Sequence, residues 1–234
     1  MTSKKSLSAD VFDKLREFDT CTASNTIERF TVRLRNEGFV HGTARCLFPH
    51  FPPMLGYAVP ARIRSSSAPM TGHCYYDRMD WWESFSRIPA PRVMVLQDVD
   101  HQPGIGAFVG EIHAEIGAAL HCIGCVTNGA VRDLPALEKI GFHLFAGSVA
   151  VSHAYSHIVD FGEPVEIGGL QIQPGDLIHG DRHGVHTIPL EIAHKVATGA
   201  ADLMAEEARL IELCRRPDFS LQKLAARLSH TAQG

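Results

Sequence analysis

Gly110-Glu-Ile-His-Ala-Glu-Ile-Gly-Ala-Ala-Leu-His-Cys-Ile-Gly-Cys-Val-Thr-Asn-Gly-Ala-Val-Arg-Asp133 is the stretch on which the fold turns. Ile112, Ile116, Ala119 and Leu120 recur at helical spacing between Glu111 and His121, so this part predicts an amphipathic helix. Gly124 to Thr127 then reads as a strand, and Asn128-Gly-Ala-Val-Arg-Asp133 as a turn at its carboxyl end. Leu134 to Ile140 follows as a short helix stopped by Gly141. Upstream, the apolar run Arg92 to Asp98 has the length of a buried strand. Strands alternating with helices predict an α/β domain with a mainly parallel sheet.

The flanks extend this pattern. Val11 to Phe18 and Thr22 to Phe30 predict two short N-terminal helices, the second capped by Thr20 or Thr22. Between Gly42 and Val109 the chain reads as short strands broken by Pro and Gly, among them Gly56 to Arg64. Gly162 to Ile172 reads as a hairpin turning at Gly168-Gly169, Pro174-Gly-Asp176 as a tight turn, and Leu177 to Ile188 as two short strands. A long C-terminal helix is expected from Leu190 to Arg215, then a helical tail (217–234) with Leu221, Leu224 and Leu228 on one face. No repeat or composition shift divides residues 1–234, so a single domain is expected.

Composition narrows the function. Apolar residues make up 45% of the 234, charged residues 21%, and the net charge is −4, which excludes a disordered or coiled-coil chain. Lys and Arg are scattered, so no nucleic-acid partner is expected. The N-terminus lacks the apolar core of a signal peptide, and no window approaches the ~20 apolar residues of a membrane span. Six cysteines are too sparse for a disulfide scaffold and are expected as reduced thiols. Together these point to the cytoplasm, with no membrane partner.

Two places in the opening stretch can carry chemistry. The loop Gly104 to Gly110 delivers a helix N-terminus, where backbone N–H groups and the helix dipole favour an anion. Arg132 and Asp133 lie just beyond a strand, where open α/β sheets place their ligands. Arg132 can grip an oxyanion bidentately and Asp133 can hold Mg2+ or Mn2+; equally, the pair can be a surface salt bridge or a helix cap. Glu111 can order metal-bound water or simply place a favourable charge in the first helical turn.

These residues resemble the RraA-like family, which includes 4-hydroxy-4-methyl-2-oxoglutarate aldolases and a regulator of ribonuclease E activity. The likeness is carried by Arg132-Asp133 after Asn128-Gly129, Glu111 ahead of a helix-bearing spacer, and Gly124 between. Phe18-Asp-Thr-Cys-Thr-Ala-Ser-Asn25 and the block from Pro174-Gly-Asp176 through Asp181, Gly184, Val185 and Pro189 extend it over about residues 15–210. The resemblance implies a swivelling β/β/α fold assembled as a homotrimer or homohexamer, with Mg2+- or Mn2+-dependent pyruvate aldolase and oxaloacetate decarboxylase activity. It makes Asp133 the metal ligand, Arg132 the substrate-binding guanidinium and Glu111 the group that orients metal-bound water. Gly110 and the backbone N–H groups of Ile112 and His113 would receive the substrate carboxylate. The resemblance also implies an acidic group from the C-terminal helix of a neighbouring subunit, for which Glu206 and Glu207 are the candidates. Asn128 and Asn25 replace Asp at family positions, and Pro49 to Trp82 departs from the pattern, a divergence expected to fall on the pocket wall.

The chemistry accords with these residue types. Breaking a carbon–carbon bond beside a 2-oxo acid leaves an enolate, which a chelated divalent cation and a guanidinium stabilise. The base that takes the 4-hydroxyl proton is expected to be metal-bound water or hydroxide, or His113. Alternatives are a non-catalytic regulator that binds protein, and a lyase or hydratase acting on a sugar-derived acid. Other signals point elsewhere. Cys122-Ile-Gly-Cys125 has no second pair at zinc spacing and reads as buried thiols. His179, His183 and His186, with His153 and His157, read either as a zinc cluster or as separate surface or pocket residues on two segments, in which case His183 would lie near the ligand through the Asp181 loop. Ser148, Ser152 and Ser156 lack a nucleophile elbow, and Gly104-Ile-Gly106 is an incomplete dinucleotide motif.

Overall fold

A computed structural model describes residues 6–70 and 77–231. The chain opens with α1 (Ala9–Arg16) and α2 (Thr20–Glu28). The cap of α2 is Asp19, not Thr20 or Thr22: its carboxylate accepts from the Thr22 N–H at 2.7 Å, adding a favourable charge at the helix N-terminus. Next come β1 (Arg45–Cys46), β2 (Met54–Arg64), α3 (Met79–Ser84) with a 3-10 turn at Phe85–Arg87, and β3 (Arg92–Asp98). The centre holds β4 (Ala107–Val109), α4 (Glu111–Ala119), β5 (Cys122–Thr127), β6 (Ala130–Val131), α5 (Leu134–Lys139), β7 (His143–Ala146) and β8 (Ser148–Val149). The C-terminal part adds β9 (His157–Phe161), the hairpins β10 (Val165–Ile167) with β11 (Leu170–Ile172) and β12 (Leu177–Asp181) with β13 (Gly184–Ile188), α6 (Ala193–Arg215) and α7 (Leu221–Thr231).

The main sheet runs β1-β7-β5-β3-β2-β12-β13, with β9 on the C-terminal half of β2 beside which β12 takes the N-terminal half. Its centre, β2-β3-β5-β7, is parallel as expected. The flanks β1, β9, β12 and β13 pair antiparallel, so the sheet is mixed. Short turns such as Asp181 to Gly184 permit only antiparallel return, whereas the parallel pairs are bridged by helical crossovers.

Alternation along β3 shows why these residues form a central strand. Met94 and Leu96 enter a core with Trp81, Phe85, Phe108 and Phe142 on one face, while Val93 and Val95 pack with Val165, Ile167 and Ile172 on the other. A third cluster joins Leu15, Ile27, Tyr57, Leu177 and Val196, seating α1, α2 and the first half of α6 against the sheet. The Gly42–Val109 segment, expected to be strands alone, also contains α3. Its Trp81 and Trp82 are buried beneath α4 beside Phe108, and this core packing gives a six-residue helix its purpose.

Candidate active site

A second, smaller sheet builds the site. β4, β6 and β8 lie side by side and all parallel, with Val109 opposite Val131 and Val131 opposite Val149. Each of these short strands therefore releases its following residues at the same end. β4 leads into Gly110 and α4, β6 into Arg132-Asp133 and α5, and β8 into the loop containing His153. Arg132 N–H donates to the Val109 carbonyl at 2.9 Å, which ties the first two exits together. A cleft of about 260 Å3 results, lined by Gly110, Glu111, Ile112, His113, Arg132, Asp133 and His153.

The carboxylate of Asp133 lies at the N-terminus of α4. It accepts from the Glu111 N–H through Oδ2 at 3.1 Å and from Arg132 Nε through Oδ1 at 3.2 Å. Asp133 itself adopts the left-handed conformation at φ 57°, which Asp tolerates better than bulkier residues. A Cβ at position 110 would sit 2.5 Å from Asp133 Oδ2 and 3.0 Å from Arg132 Cγ, so glycine is required for this approach. The Ala114 N–H makes the first bond of the α4 ladder, to the Gly110 carbonyl, and the Ile112 and His113 N–H groups lie ahead of it.

The sequence-expected groups Gly110, Glu111, Ile112, His113, Arg132 and Asp133 thus meet in one cleft. The His113 imidazole does not open into it. That ring is fully buried, 4.6 Å from the Phe108 ring centre and 5.8 Å from that of Trp82, so the residue offers the cleft its main chain and is displaced as a candidate base. Trp81 and Trp82 likewise belong to the core beneath α4 and not to the cleft lining. Residues 71–76 of the divergent Pro49 to Trp82 segment lie outside the described residues. Glu206 pairs with Arg29 of its own chain at 2.6 Å.

Sequence reading missed the supports of the cleft. Asn128, at the end of β5, accepts from the Asp98 N–H at 2.7 Å and donates to the Asp98 carbonyl at 2.9 Å, locking the ends of β3 and β5 together. The Asp98 carboxylate accepts from Gly104 N–H at 2.8 Å and shapes the loop into β4; burial raises its pKa, against the pull of that bond. Asp100 gathers the backbone N–H groups of Ser65 and Ser66 and the Ser66 hydroxyl, and Ser65 in turn meets Ser156 and the Gly106 carbonyl. The signal for these supports was polar residues at strand ends, which composition and periodicity do not weigh.

The histidines do not form the zinc cluster. His179 and His186 face each other across β12 and β13, with Nδ1 and Nε2 2.9 Å apart, while His183 bonds Asp181. Among the described residues, no three His, Cys, Asp or Glu side chains gather as a metal cage. Cys122 and Cys125 are buried free thiols, and burial pushes Cys122 up to about 12.

An α/β domain whose parallel strands end at a cleft holding a guanidinium, a carboxylate and a helix N-terminus has the anatomy of a small-molecule site. The chain belongs to the RraA-like family (Aldolase/RraA), which it matches over residues 8–186. A Halalkalibacterium halodurans protein named "Putative 4-hydroxy-4-methyl-2-oxoglutarate aldolase" is 34% identical over 84 residues, covering 36% of this chain and 40% of that relative. The chain therefore matches well under half of that relative's length. An uncharacterized Pseudomonas syringae protein has the same fold at a TM-score of 0.73, 20% identity and 95% coverage of each chain. Streptomyces coelicolor RraAS2, described as an unusual member of the RNase ES inhibitor RraA protein family, does so at 0.69, 18% identity, and 88% and 99% coverage. Among the described residues, no helix is long and apolar enough to cross a membrane.

Proposed function

We propose that the protein is a divalent-metal-dependent lyase that cleaves a 2-oxo acid to pyruvate, acting on 4-hydroxy-4-methyl-2-oxoglutarate or a close analogue and decarboxylating oxaloacetate at the same site. The observation that carries this reading is the convergence of Arg132, Asp133 and the α4 N-terminus on one small cleft. A regulator acting by surface contact has no need of that convergence.

The donor set suits a hard cation. Mg2+ and Mn2+ take oxygen ligands, and Mg2+ in particular keeps several waters, needing only one or two carboxylates from the protein. Asp133, about one-third exposed, offers such a carboxylate. When bound there, the cation supplies Lewis-acid polarisation of the 2-oxo group. Arg132, whose Nε is engaged by Asp133, keeps its terminal N–H groups for a bidentate grip on the substrate's oxygens and offsets charge developing on the enolate. The Ile112 and His113 N–H groups receive a substrate carboxylate where the helix dipole favours it. Glu111 adds a carboxylate at the mouth, set to hold a water or hydroxyl by hydrogen bonding. Assembly as a homotrimer or homohexamer belongs to the same reading and is supported by Met204, Ile211, Phe219 and Leu221, which remain exposed at the distal part of α6 and beyond.

Pyruvate release from 4-hydroxy-4-methyl-2-oxoglutarate and from oxaloacetate, with Mg2+ or Mn2+, tests this directly. Release should fall to background in EDTA and in Asp133→Asn, with the thermal midpoint nearly unchanged because Asn also tolerates the left-handed backbone. Undiminished release in EDTA or in that variant would overturn the proposal.

A further inference from the structure

With the His113 ring enclosed by aromatic residues, the candidates to take the substrate's hydroxyl proton are metal-bound water or hydroxide and another side chain of the cleft. His153 lines the same cleft as Arg132 and Asp133. Its Nδ1 lies 3.0 Å from the Ala154 carbonyl oxygen. A carbonyl only accepts, so Nδ1 carries the proton and Nε2 bears the lone pair.

The loop that presents this ring is fastened on several sides. The Ala107 N–H donates to the Ser152 carbonyl at 2.9 Å, the Ser156 N–H to the His153 carbonyl at 2.9 Å, and the Ala154 N–H to Ser152 Oγ at 2.9 Å. Ala154 holds a left-handed φ of 47°. A Cβ at Gly106 would overlap the His153 carbonyl oxygen, so β4 and this loop pack backbone to backbone. The strand that feeds the α4 N-terminus is therefore the strand that fixes His153, and such rigidity is what a positioned proton acceptor requires.

We propose that His153 is the general base of carbon–carbon cleavage, an inference that rests on the lyase reading above. Of the other side chains in the cleft, Asp133 is assigned to the cation and Arg132 has no lone pair. The remaining carboxylate, Glu111, is assigned to hold a water or hydroxyl at the mouth, and histidine is the side chain that most often serves as general base. In the step, Nε2 takes the proton from the C4 hydroxyl. The O–H electron pair becomes the second bond of the new ketone at C4. The C3–C4 pair moves into the enolate of pyruvate, leaving the negative charge on the former 2-oxo oxygen. The imidazolium then returns its proton to C3, giving pyruvate and neutral His153. Decarboxylation of oxaloacetate uses the same electron sink but releases CO2 and removes no hydroxyl proton.

The two reactions therefore separate the roles. His153→Ala, assayed with Mg2+ on both substrates, should lose about 10²–10⁴-fold in kcat for 4-hydroxy-4-methyl-2-oxoglutarate, the usual scale of a general base. Oxaloacetate decarboxylation should fall far less, and added imidazole should restore part of the cleavage. An equal loss in both reactions, no loss in either, or a selective loss of cleavage in Glu111→Gln with His153→Ala unaffected would each overturn the assignment and leave the lyase reading standing. A wild-type protein inactive on both substrates would bring down the lyase reading and this inference with it.

Discussion

Asp133 and Asp181 are both carboxylates beside a helix N-terminus, yet the surroundings differ in one respect that sets their roles. Asp181 accepts from the Thr20 N–H and hydroxyl at 2.8 Å each, from the His183 N–H at 2.8 Å and from His183 Nδ1 at 3.1 Å. A carboxylate has about four lone-pair directions, so Asp181 is saturated. It is also buried, and although burial would raise its pKa, those donors hold it below the usual range. Among the described residues, Asp133 accepts the longer contacts from Glu111 and Arg132 alone, and it remains partly exposed. A filled carboxylate clamps α2 to the β12–β13 hairpin; a half-filled one keeps capacity for a ligand.

The most severe way to break the contrast is to fill the space beside Asp133. Gly110→Ala places a methyl 2.5 Å from Asp133 Oδ2, so the carboxylate or the start of α4 must shift. A displacement near 1 Å at a reacting centre costs on the order of 10²-fold. Both of the proposed pyruvate-releasing reactions should fall by about that factor, while the denaturation midpoint moves little. Wild-type rates in this variant would show that the approach of Gly110 to Asp133 has no catalytic meaning.

Loss of the saturated carboxylate should act on stability instead. Asp181→Ala leaves the Thr20 and His183 donors at a buried site without their acceptor, a cost of about 2–4 kcal/mol. Urea unfolding should show the loss as a lower midpoint at unchanged slope. An effect below ~0.5 kcal/mol would mean that the clamp is replaced by water and that the contrast with Asp133 is only apparent.

How much of this the residues themselves disclose depends on the length of the element concerned. The continuous apolar run of Arg92–Asp98, the helical spacing of Glu111 to His121 and the Arg132-Asp133 pair after a turn are strong local signals, and the corresponding elements stand where they are expected. β4, β6 and β8 have two or three residues each, too few for any period to register, yet their parallel pairing is what gathers the cleft. The sequence offers His153 as a zinc-cluster or pocket residue, but not its place beside Arg132, since the pairing of β8 with β6 carries its loop there. His113 misled in the opposite way. Position three of a helix says nothing about which face is covered, and α3, which covers it, lies in a segment whose Pro and Gly breaks suggest strands.

The smallest effect concerns the hairpin's histidines, which have the opposite pH signature from an open site. Burial lowers His179 to about 4, outweighing the attraction of Asp181, and pushes His186 well below its ordinary value, with His179 beside it acting in the same direction. Between about pH 6.5 and pH 4 the unfolded chain therefore binds protons that the folded chain refuses. Stability must fall as pH drops through that window, by up to ~1.4 kcal/mol per pH unit for each histidine. His143, also lowered to about 4 by burial and by Arg16, adds to the same slope. Asp98, raised by burial, works against it near the acid end, while the contribution of Asp181 is lost only below the ordinary carboxylate range. Urea midpoints of the wild type should decline steadily from pH 6.5 to 4.5. In His179→Asn/His186→Asn, which keeps polar groups across the strands but removes their titration, the decline should shrink towards the share left by His143. Parallel profiles in the two proteins would place the acid sensitivity outside the hairpin and remove the reason for treating it as the sealed counterpart of the cleft.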